Sequence, residues 1–232
     1  MISCYHYFVD PYCPARIGKF SAVTLVLLSA AYIATGLIWL VSHADVLNTR
    51  GLHPIEPYLG IMESIMLMLN PAIVALFAAI HTYAPAEKKT YSLAAFGFAL
   101  VMVCLTAFVH FVQLFVVRQT TSAEVRELFS FYSSDGRMLP MFAMDMLAWD
   151  FFLGFALLFT APVFGGDKLQ NIIRVALLVS GVLCLIGVAF PVTGNAKLQL
   201  PAIVGYAFGF PFVCLLLAIL FSRSEFQTQH SK

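Results

Sequence analysis

Six long apolar stretches, separated by short polar segments, restrict the fold of this chain more than any other feature. Each stretch is long enough for an α-helix to cross the roughly 30 Å hydrocarbon core of a bilayer. The backbone finds no water there, so each stretch must satisfy its own hydrogen bonds as a helix. The sequence therefore predicts an all-α polytopic membrane protein, with six transmembrane helices in one bundle at about 20–42, 58–82, 92–117, 138–164, 172–192 and 201–222.

Composition supports the same fold class. Of the 232 residues, 61% are hydrophobic and only 11% are charged, which is more apolar surface than a soluble domain of this size needs. The formal net charge of +1 provides no basic field, so we expect no nucleic-acid partner. No linker or composition shift divides the chain, and residues 1–232 are predicted to form a single domain.

The distribution of basic residues predicts an orientation, because cytoplasmic loops carry an excess of Lys and Arg. The side that holds both termini carries Arg16, Lys19, Lys88, Lys89, Lys168, Arg174, Arg223 and Lys232. The opposite side carries Arg50, Arg118, Arg126, Arg137 and Lys197. We therefore predict a multi-pass protein of the cell (inner) membrane with both termini in the cytoplasm.

One carboxylate, Glu63, interrupts the apolar stretch YLGIMESIMLMLNPAIV at residues 58–74. A charged side chain at the centre of an inserting helix costs about 2.5–3.5 kcal/mol, so such residues usually face the bundle interior and pair with other polar groups. Asn70 and His81 fall on the same face of this helix. Because the next stretch follows after the short loop 83–91, we expect the two helices to be antiparallel neighbours and Glu63 to contact His110.

Polar residues on four stretches lie at a matching depth. At the standard helical rise, Glu63, His110 and Asp145 each lie roughly 8–10 Å from the same side, and Tyr206 lies at a similar level. We predict that Glu63 is a proton or cation group, with His110 as its partner, Asp145 as a second acid and Tyr206 as a hydrogen-bond donor. The remaining members of this predicted ligand-binding or proton site are Asn70, Gln113 and Trp149.

A purely structural interpretation of these residues remains open. Polar side chains in membrane bundles often only hold helices together, at about 0.6 kcal/mol per contact. For Asn70 and Gln113 taken alone, packing and hydrogen bonding is the simpler interpretation. Asp150 points roughly 140° away from Asp145 on an ideal helix, so these two acids are not predicted to form a side-by-side pair.

The loops and the remaining motifs give weaker signals. Residues 121–124 match a capping box and predict a short amphipathic helix after the third stretch. A metal set in the first predicted outer loop is the less favoured interpretation of its polar residues, which are His43, Asp45, His53 and Glu56. The sequence holds no Walker A, G-x-S-x-G, H-E-x-x-H or histidine-box pattern, so we expect no metal and no cofactor. Gly205 and Gly209 have the spacing that suits close helix approach.

Two segments carry a resemblance to a known group of proteins. These are ESIM near the start of the second stretch and DFFLGFALLFTAPVF…IIRVALLVSGVLCLIG across the fourth and fifth. The chain resembles small six-span bacterial membrane proteins grouped under a domain of unknown function. The resemblance implies a six-helix layout in a bacterial inner membrane, and it implies no activity and no site residues.

Three hypotheses for function follow. The leading one is an integral membrane protein that binds or transports a small or lipid-like molecule at the Glu/His/Asp site, with the lipid bilayer and this ligand as its partners. The second is a membrane-embedded isomerase or cyclase that uses Glu63 and Asp145 as acid and base on an isoprenoid or sterol-like substrate. A closed pocket around the acids, rather than a water path to both sides, favours the enzyme over the transporter. The third is an accessory subunit of a membrane complex, or a homo-oligomer, with an exposed small-residue face at Gly205 and Gly209.

Overall fold

A computed structural model of the chain describes residues 12–43, 56–133 and 137–230, and these residues form seven helices, six of them long. The helices are α1 (Tyr12–Ser42), α2 (Tyr58–Tyr83), α3 (Ala86–Val117), α4 (Ala123–Phe129), α5 (Pro140–Val163), α6 (Lys168–Thr193) and α7 (Ala196–Ser224, continuing to His230). All six predicted long helices are present. They are long and apolar enough to cross a membrane, which is the layout of a multi-pass membrane protein.

Several helix boundaries differ from the prediction for local reasons. α6 begins at Lys168, four residues before the predicted start, because the Asp167 carboxylate caps it by accepting a hydrogen bond from the Gln170 backbone N–H at 2.8 Å. The predicted short helix is α4, but its N-cap is Ser122 rather than Thr121. The Ser122 hydroxyl oxygen accepts from the Val125 backbone N–H at 3.3 Å.

The six long helices form a closed ring. Each packs mainly against the helices before and after it along the chain, and α7 completes the ring by packing on α1. Neighbours run antiparallel, as short connections require. We call the end where α2 begins and α3 ends the Arg118 end, and the opposite end the Arg16 end.

Small residues set the closest approaches in the ring. A Cβ on Gly205 of α7 would lie 2.9 Å from the Ser180 carbonyl oxygen of α6. The predicted role of Gly205 in close helix approach is therefore confirmed. Gly205 is buried against α6, so it does not contribute to the exposed small-residue face that the accessory-subunit hypothesis expected at Gly205 and Gly209.

The interior changes character along the bundle axis. Toward the Arg16 end it is filled by apolar side chains that are almost fully buried, among them Ile73, Leu76, Phe77, Met102, Leu153 and Leu157. The buried polar side chains Glu63, His110 and Gln113 lie nearer the Arg118 end. The interior is thus mainly apolar toward the Arg16 end, whereas a polar layer with Glu63, His110 and Gln113 lies toward the Arg118 end.

Three long helices contain a π-helical segment that the sequence did not predict. The segments are Gln113–Val117 in α3, Leu147–Phe152 in α5 and Val204–Gly209 in α7. The first two begin within three residues of His110 and Asp145, and the third contains Tyr206. Because π segments often occur at functional sites, their position marks the polar layer.

Candidate functional site

His110 of α3 lies between two carboxylates from neighbouring helices. Its Nδ1 is 2.5 Å from Glu63 Oε2 of α2, and its Nε2 is 3.4 Å from Asp145 Oδ1 of α5. The exposed fractions of the three side chains are 3% for His110, 6% for Glu63 and 26% for Asp145. The expected contact between Glu63 and His110 is therefore present, and Asp145 extends it into a triad.

A second ion pair aligns α2 with α3. The Arg118 guanidinium donates from Nε to Glu56 Oε1 at 2.5 Å and from Nη2 to Glu56 Oε2 at 3.1 Å. It also packs over Gly60, where a Cβ would lie 2.8 Å from the Arg118 Cζ. A larger residue here would make the guanidinium shift, so Gly60 lets Arg118 pack closely at the contact between the end of α3 and the start of α2. This contact is a further positioning element that sequence reasoning missed.

The chemistry of the triad follows from its geometry. A neutral imidazole donates from only one nitrogen, whereas an imidazolium donates from both. The short contact to Glu63 is a hydrogen bond, while the 3.4 Å contact to Asp145 is longer than a normal N–H···O bond and is an ion-pair contact. The triad can therefore hold a proton between two acids, and the longer contact leaves Asp145 free to bind another donor.

The triad does not have the geometry of a metal site. The imidazole lies between the two carboxylates, so the three side chains do not converge on a common point. Within the part of the chain that the structure describes, no group of three or more His, Cys, Asp or Glu side chains is arranged to hold a metal ion. In the first predicted outer loop, His43 contacts the Trp39 carbonyl oxygen through Nδ1 and Glu56 pairs with Arg118. Asp45 and His53 lie outside the described residues.

A cavity of about 380 Å³ extends from the triad toward the Arg118 end. Glu63, His110 and Asp145 form its polar wall, and much of the rest is aromatic. The aromatic side chains are Tyr32, Trp39, Phe131, Tyr132 and Phe142. Tyr132 lies outside the membrane-spanning helices, where burial and, to a lesser extent, the negative charge of Asp145 raise the pKa of its phenol.

A smaller cavity of about 120 Å³ lies on the other side of Asp145. Asp145, Tyr32 and Ile33 line both cavities. Trp149 and Tyr206 also line the smaller one, with their ring centroids 5.7 Å apart. The structure therefore places the predicted residues Trp149 and Tyr206 next to the triad, with Asp145 as the link.

The remaining polar residues of the prediction have other surroundings. Gln113 is fully buried and its amide donates to the Phe129 carbonyl oxygen at 2.7 Å, so it fixes α4 to the bundle. Asn70 is buried, but it lines neither of the two cavities. His81 contacts the Ser92 hydroxyl at 2.9 Å and belongs to the Arg16 end rather than to the polar layer.

Asp150 forms a separate buried polar contact between α5, α6 and α7. Its Oδ1 accepts a hydrogen bond from the Gln199 amide at 3.3 Å, and its Oδ2 has no hydrogen-bond partner among the described residues. A Cβ on Gly187 of α6 would overlap this oxygen. The expectation that Asp145 and Asp150 are not a side-by-side pair agrees with this arrangement, since the two acids face different helices.

The α1 side of the cavity is what the sequence analysis missed. Tyr32 and Trp39 lie in an apolar helix that carries no carboxylate or imidazole in its interior. An aromatic residue on such a helix has the same pattern whether it faces lipid or a cavity. The one available signal was depth, because Trp39 lies near the same end of its helix as the predicted polar layer.

Comparison with known proteins gives no further assignment. No family model, no curated protein and no solved structure matches this chain. The resemblance to six-span bacterial membrane proteins of a domain of unknown function therefore stays a prediction. The described residues form a helical multi-pass membrane protein that has an acid–histidine–acid triad at the wall of a cavity.

Proposed function

We propose that this protein binds a small molecule in the cavity at the Arg118 end and that Glu63, His110 and Asp145 recognise its polar group. One observation carries the proposal. His110 joins two acids from two other helices at the wall of a cavity of about 380 Å³, within the range of ligand pockets.

The free-energy cost of burying the charged groups of the triad supports a functional role. Buried ion pairs are often no more stabilising than apolar side chains of similar volume. A bundle that needed only helix contacts would gain as much from apolar residues at these three positions. The partial exposure of Asp145 to the cavity supports the same conclusion, because a purely structural pair needs no accessible carboxylate.

The packing of the other half of the bundle favours a site that is reached from one side. Ile73, Met102 and Leu153 lie roughly 12–15 Å deeper than Glu63, His110 and Asp145 at the helical rise, and each is completely buried. These apolar side chains separate the triad from the Arg16 end. The proposal is therefore ligand binding rather than a continuous path through the bundle.

Acid–base catalysis is the second candidate, and the exposure gradient in the triad favours it. Asp145 is partly exposed to the cavity, whereas Glu63 and His110 are buried. A proton from a bound molecule would pass to Asp145, then to His110, and be shared with Glu63. An isoprenoid or sterol-like molecule would suit the aromatic walls, and conversion of an added lipid of this class by the purified protein would support the enzyme.

The location and orientation belong to the same proposal. We place the chain in a bacterial inner membrane with both termini in the cytoplasm, as the Lys and Arg distribution predicts. The Arg118 end, and with it the cavity, then faces away from the cytoplasm. Protease protection of a C-terminal tag in inside-out and right-side-out vesicles tests this, and a tag cleaved only in right-side-out vesicles contradicts it.

Native mass spectrometry of the detergent-purified protein tests the binding function. We expect a retained small molecule or lipid in the wild type, and loss of that mass in Glu63→Gln and Asp145→Asn. The matched control is Glu87→Gln, which makes the same substitution at an exposed glutamate near the Arg16 end. A wild type without any bound molecule, or equal retention in all variants, contradicts the proposal.

A further inference from the structure

The charge and the walls of the larger cavity indicate which chemical class it binds. The triad contributes two carboxylates and one imidazole. With both carboxylates ionised, its net charge is negative whether the imidazole is protonated or neutral. None of the described residues that line this cavity is Lys or Arg, so the cavity itself supplies no lysine or arginine to compensate the acids.

The Arg118 guanidinium, which packs over Gly60 near Glu63, does not reverse this charge balance. Arg118 lies at the mouth of the α2–α3 contact, but Glu56 engages it through two hydrogen bonds. The pair is also partly exposed to solvent, with 36% of the Arg118 and 50% of the Glu56 side chain accessible. Its net field at the cavity is therefore small compared with that of Asp145, which lines the cavity directly.

The aromatic walls add a second, independent preference. Five aromatic side chains line the cavity next to the triad, namely Tyr32, Trp39, Phe131, Tyr132 and Phe142. The faces of aromatic rings attract cations, and desolvated aromatic cages are the usual way in which proteins recognise quaternary ammonium groups. A bare metal cation would instead need several oxygen ligands that converge on one point, whereas the His110 imidazole separates the two carboxylates of this wall.

We propose that the ligand of this cavity is an organic cation with an alkylated ammonium group. The ammonium group lies against Asp145, and its apolar substituents lie against the aromatic side chains. This inference rests on the proposed binding function and names the class of its ligand. An anion would be repelled by the two acids. A neutral apolar molecule would cover the Asp145 carboxylate while its Oδ1, which is 3.4 Å from His110 Nε2, still has no hydrogen-bond donor among the described residues.

Three probes of nearly identical shape separate charge from shape. They are choline, its uncharged carbon isostere 3,3-dimethylbutan-1-ol, and the anion 3,3-dimethylbutanoate. The chain has two tryptophans, and each lines one of the two cavities, Trp39 the larger and Trp149 the smaller. Intrinsic tryptophan fluorescence of the full-length protein in detergent therefore reports binding directly.

We expect choline to bind at least tenfold more tightly than the alcohol and the anion to bind weakest. In Asp145→Asn the preference of choline over the alcohol should fall to about threefold or less, while Glu87→Gln should keep the wild-type preference. If Asp145→Asn does not fold, the order of the three probes on the wild type is still decisive.

The outcomes distinguish this inference from the binding function on which it rests. Equal binding of choline and the alcohol, or tighter binding of the alcohol or the anion, overturns the cation inference. If none of the probes binds while native mass spectrometry shows a molecule that is lost in Glu63→Gln, the cation inference is again overturned and the binding function stands. If no probe binds and no molecule is retained, both are wrong.

Discussion

Asp145 and Asp150 lie five residues apart on α5 and have opposite surroundings. Asp145 contacts His110 and lines two cavities, with 26% of its side chain exposed. Asp150 is 1% exposed and is enclosed by α6 and α7, with the Gln199 amide as its hydrogen-bond donor. Asp150 lies within the π-helical segment Leu147–Phe152, which begins two residues after Asp145. The comparison shows that access to a cavity, and not the presence of a buried acid, distinguishes the candidate site.

Removal of the His110 imidazole, which contacts Asp145, should have the largest effect on stability. In His110→Ala the two carboxylates lose their shared partner, and breaking a buried ion pair typically costs about 3–5 kcal/mol. We expect a loss of this size in the free energy of unfolding, measured by denaturant titration in mixed micelles. His81→Ala is the matched control, since the His81 imidazole hydrogen-bonds to the neutral Ser92 hydroxyl and a single hydrogen bond contributes about 1 kcal/mol. Equal losses in the two variants would show that the triad contributes no more to stability than a single side-chain hydrogen bond.

The surroundings of Asp150 are tested by a substitution that fills the space beside its carboxylate. Gly187→Ala would place a methyl group against Asp150 Oδ2 and Ala202, and overpacking of this kind costs about 1–3 kcal/mol. The control Gly97→Ala adds the same methyl group where no atom lies within 4 Å. It should leave stability unchanged or raise it by up to about 1 kcal/mol, because alanine favours a helix more than glycine.

A double variant shows whether Asp150 itself is the obstacle. Asp150→Ala removes the carboxylate that Gly187→Ala would meet, so the combined loss in free energy of unfolding should be smaller than the sum of the two single losses. Strict additivity would mean that Ala202, and not Asp150, limits the approach of α6.

The same substitution at both acids compares their roles in binding. Asp145→Asn should weaken retention of the bound molecule at least tenfold, which corresponds to about 1.4 kcal/mol. Asp150→Asn should change retention less than about twofold, because Asp150 lines neither cavity beside the triad. Native mass spectrometry of both variants at equal protein and detergent concentration measures the ratio. A larger effect at Asp150 would move the site to the α5–α6–α7 interface.

The polar layer was predictable from sequence to the extent that helical geometry is fixed. The rise per residue placed Glu63, His110 and Asp145 at one depth, and the short connection 83–91 made α2 and α3 antiparallel neighbours. These two facts were sufficient to predict the contact between Glu63 and His110. The six long helices followed from their apolar length alone.

What the sequence did not reveal depends on contacts between distant parts of the chain. Asp150 finds its donor at Gln199, 49 residues away, and the closure of α7 on α1 has no local signal. The π segments arise from a local shift in backbone hydrogen bonding, which no residue pattern in this sequence predicts. The aromatic wall on α1 was missed because Tyr32 and Trp39 look the same in sequence whether they face lipid or a cavity.

A third carboxylate, Asp167, is fully exposed and gives the smallest expected effect. The hydrogen bond from the Gln170 backbone N–H lowers the pKa of this carboxyl below its ordinary value of 3.8. Because the folded-state pKa is the lower one, the capping contribution is present above the ordinary pKa and is lost as the pH falls through the folded-state value. Asp167→Ala should therefore lower the apparent melting temperature by about 2 °C or less at pH 6–8, and the difference from wild type should shrink below about pH 4. Asp167→Asn is the control, since asparagine also caps a helix but does not titrate there. A deficit in Asp167→Ala that stays constant down to pH 3 would show that the charge of this cap contributes nothing, and that Asp167 stabilises α6 only through a hydrogen bond that asparagine can also accept.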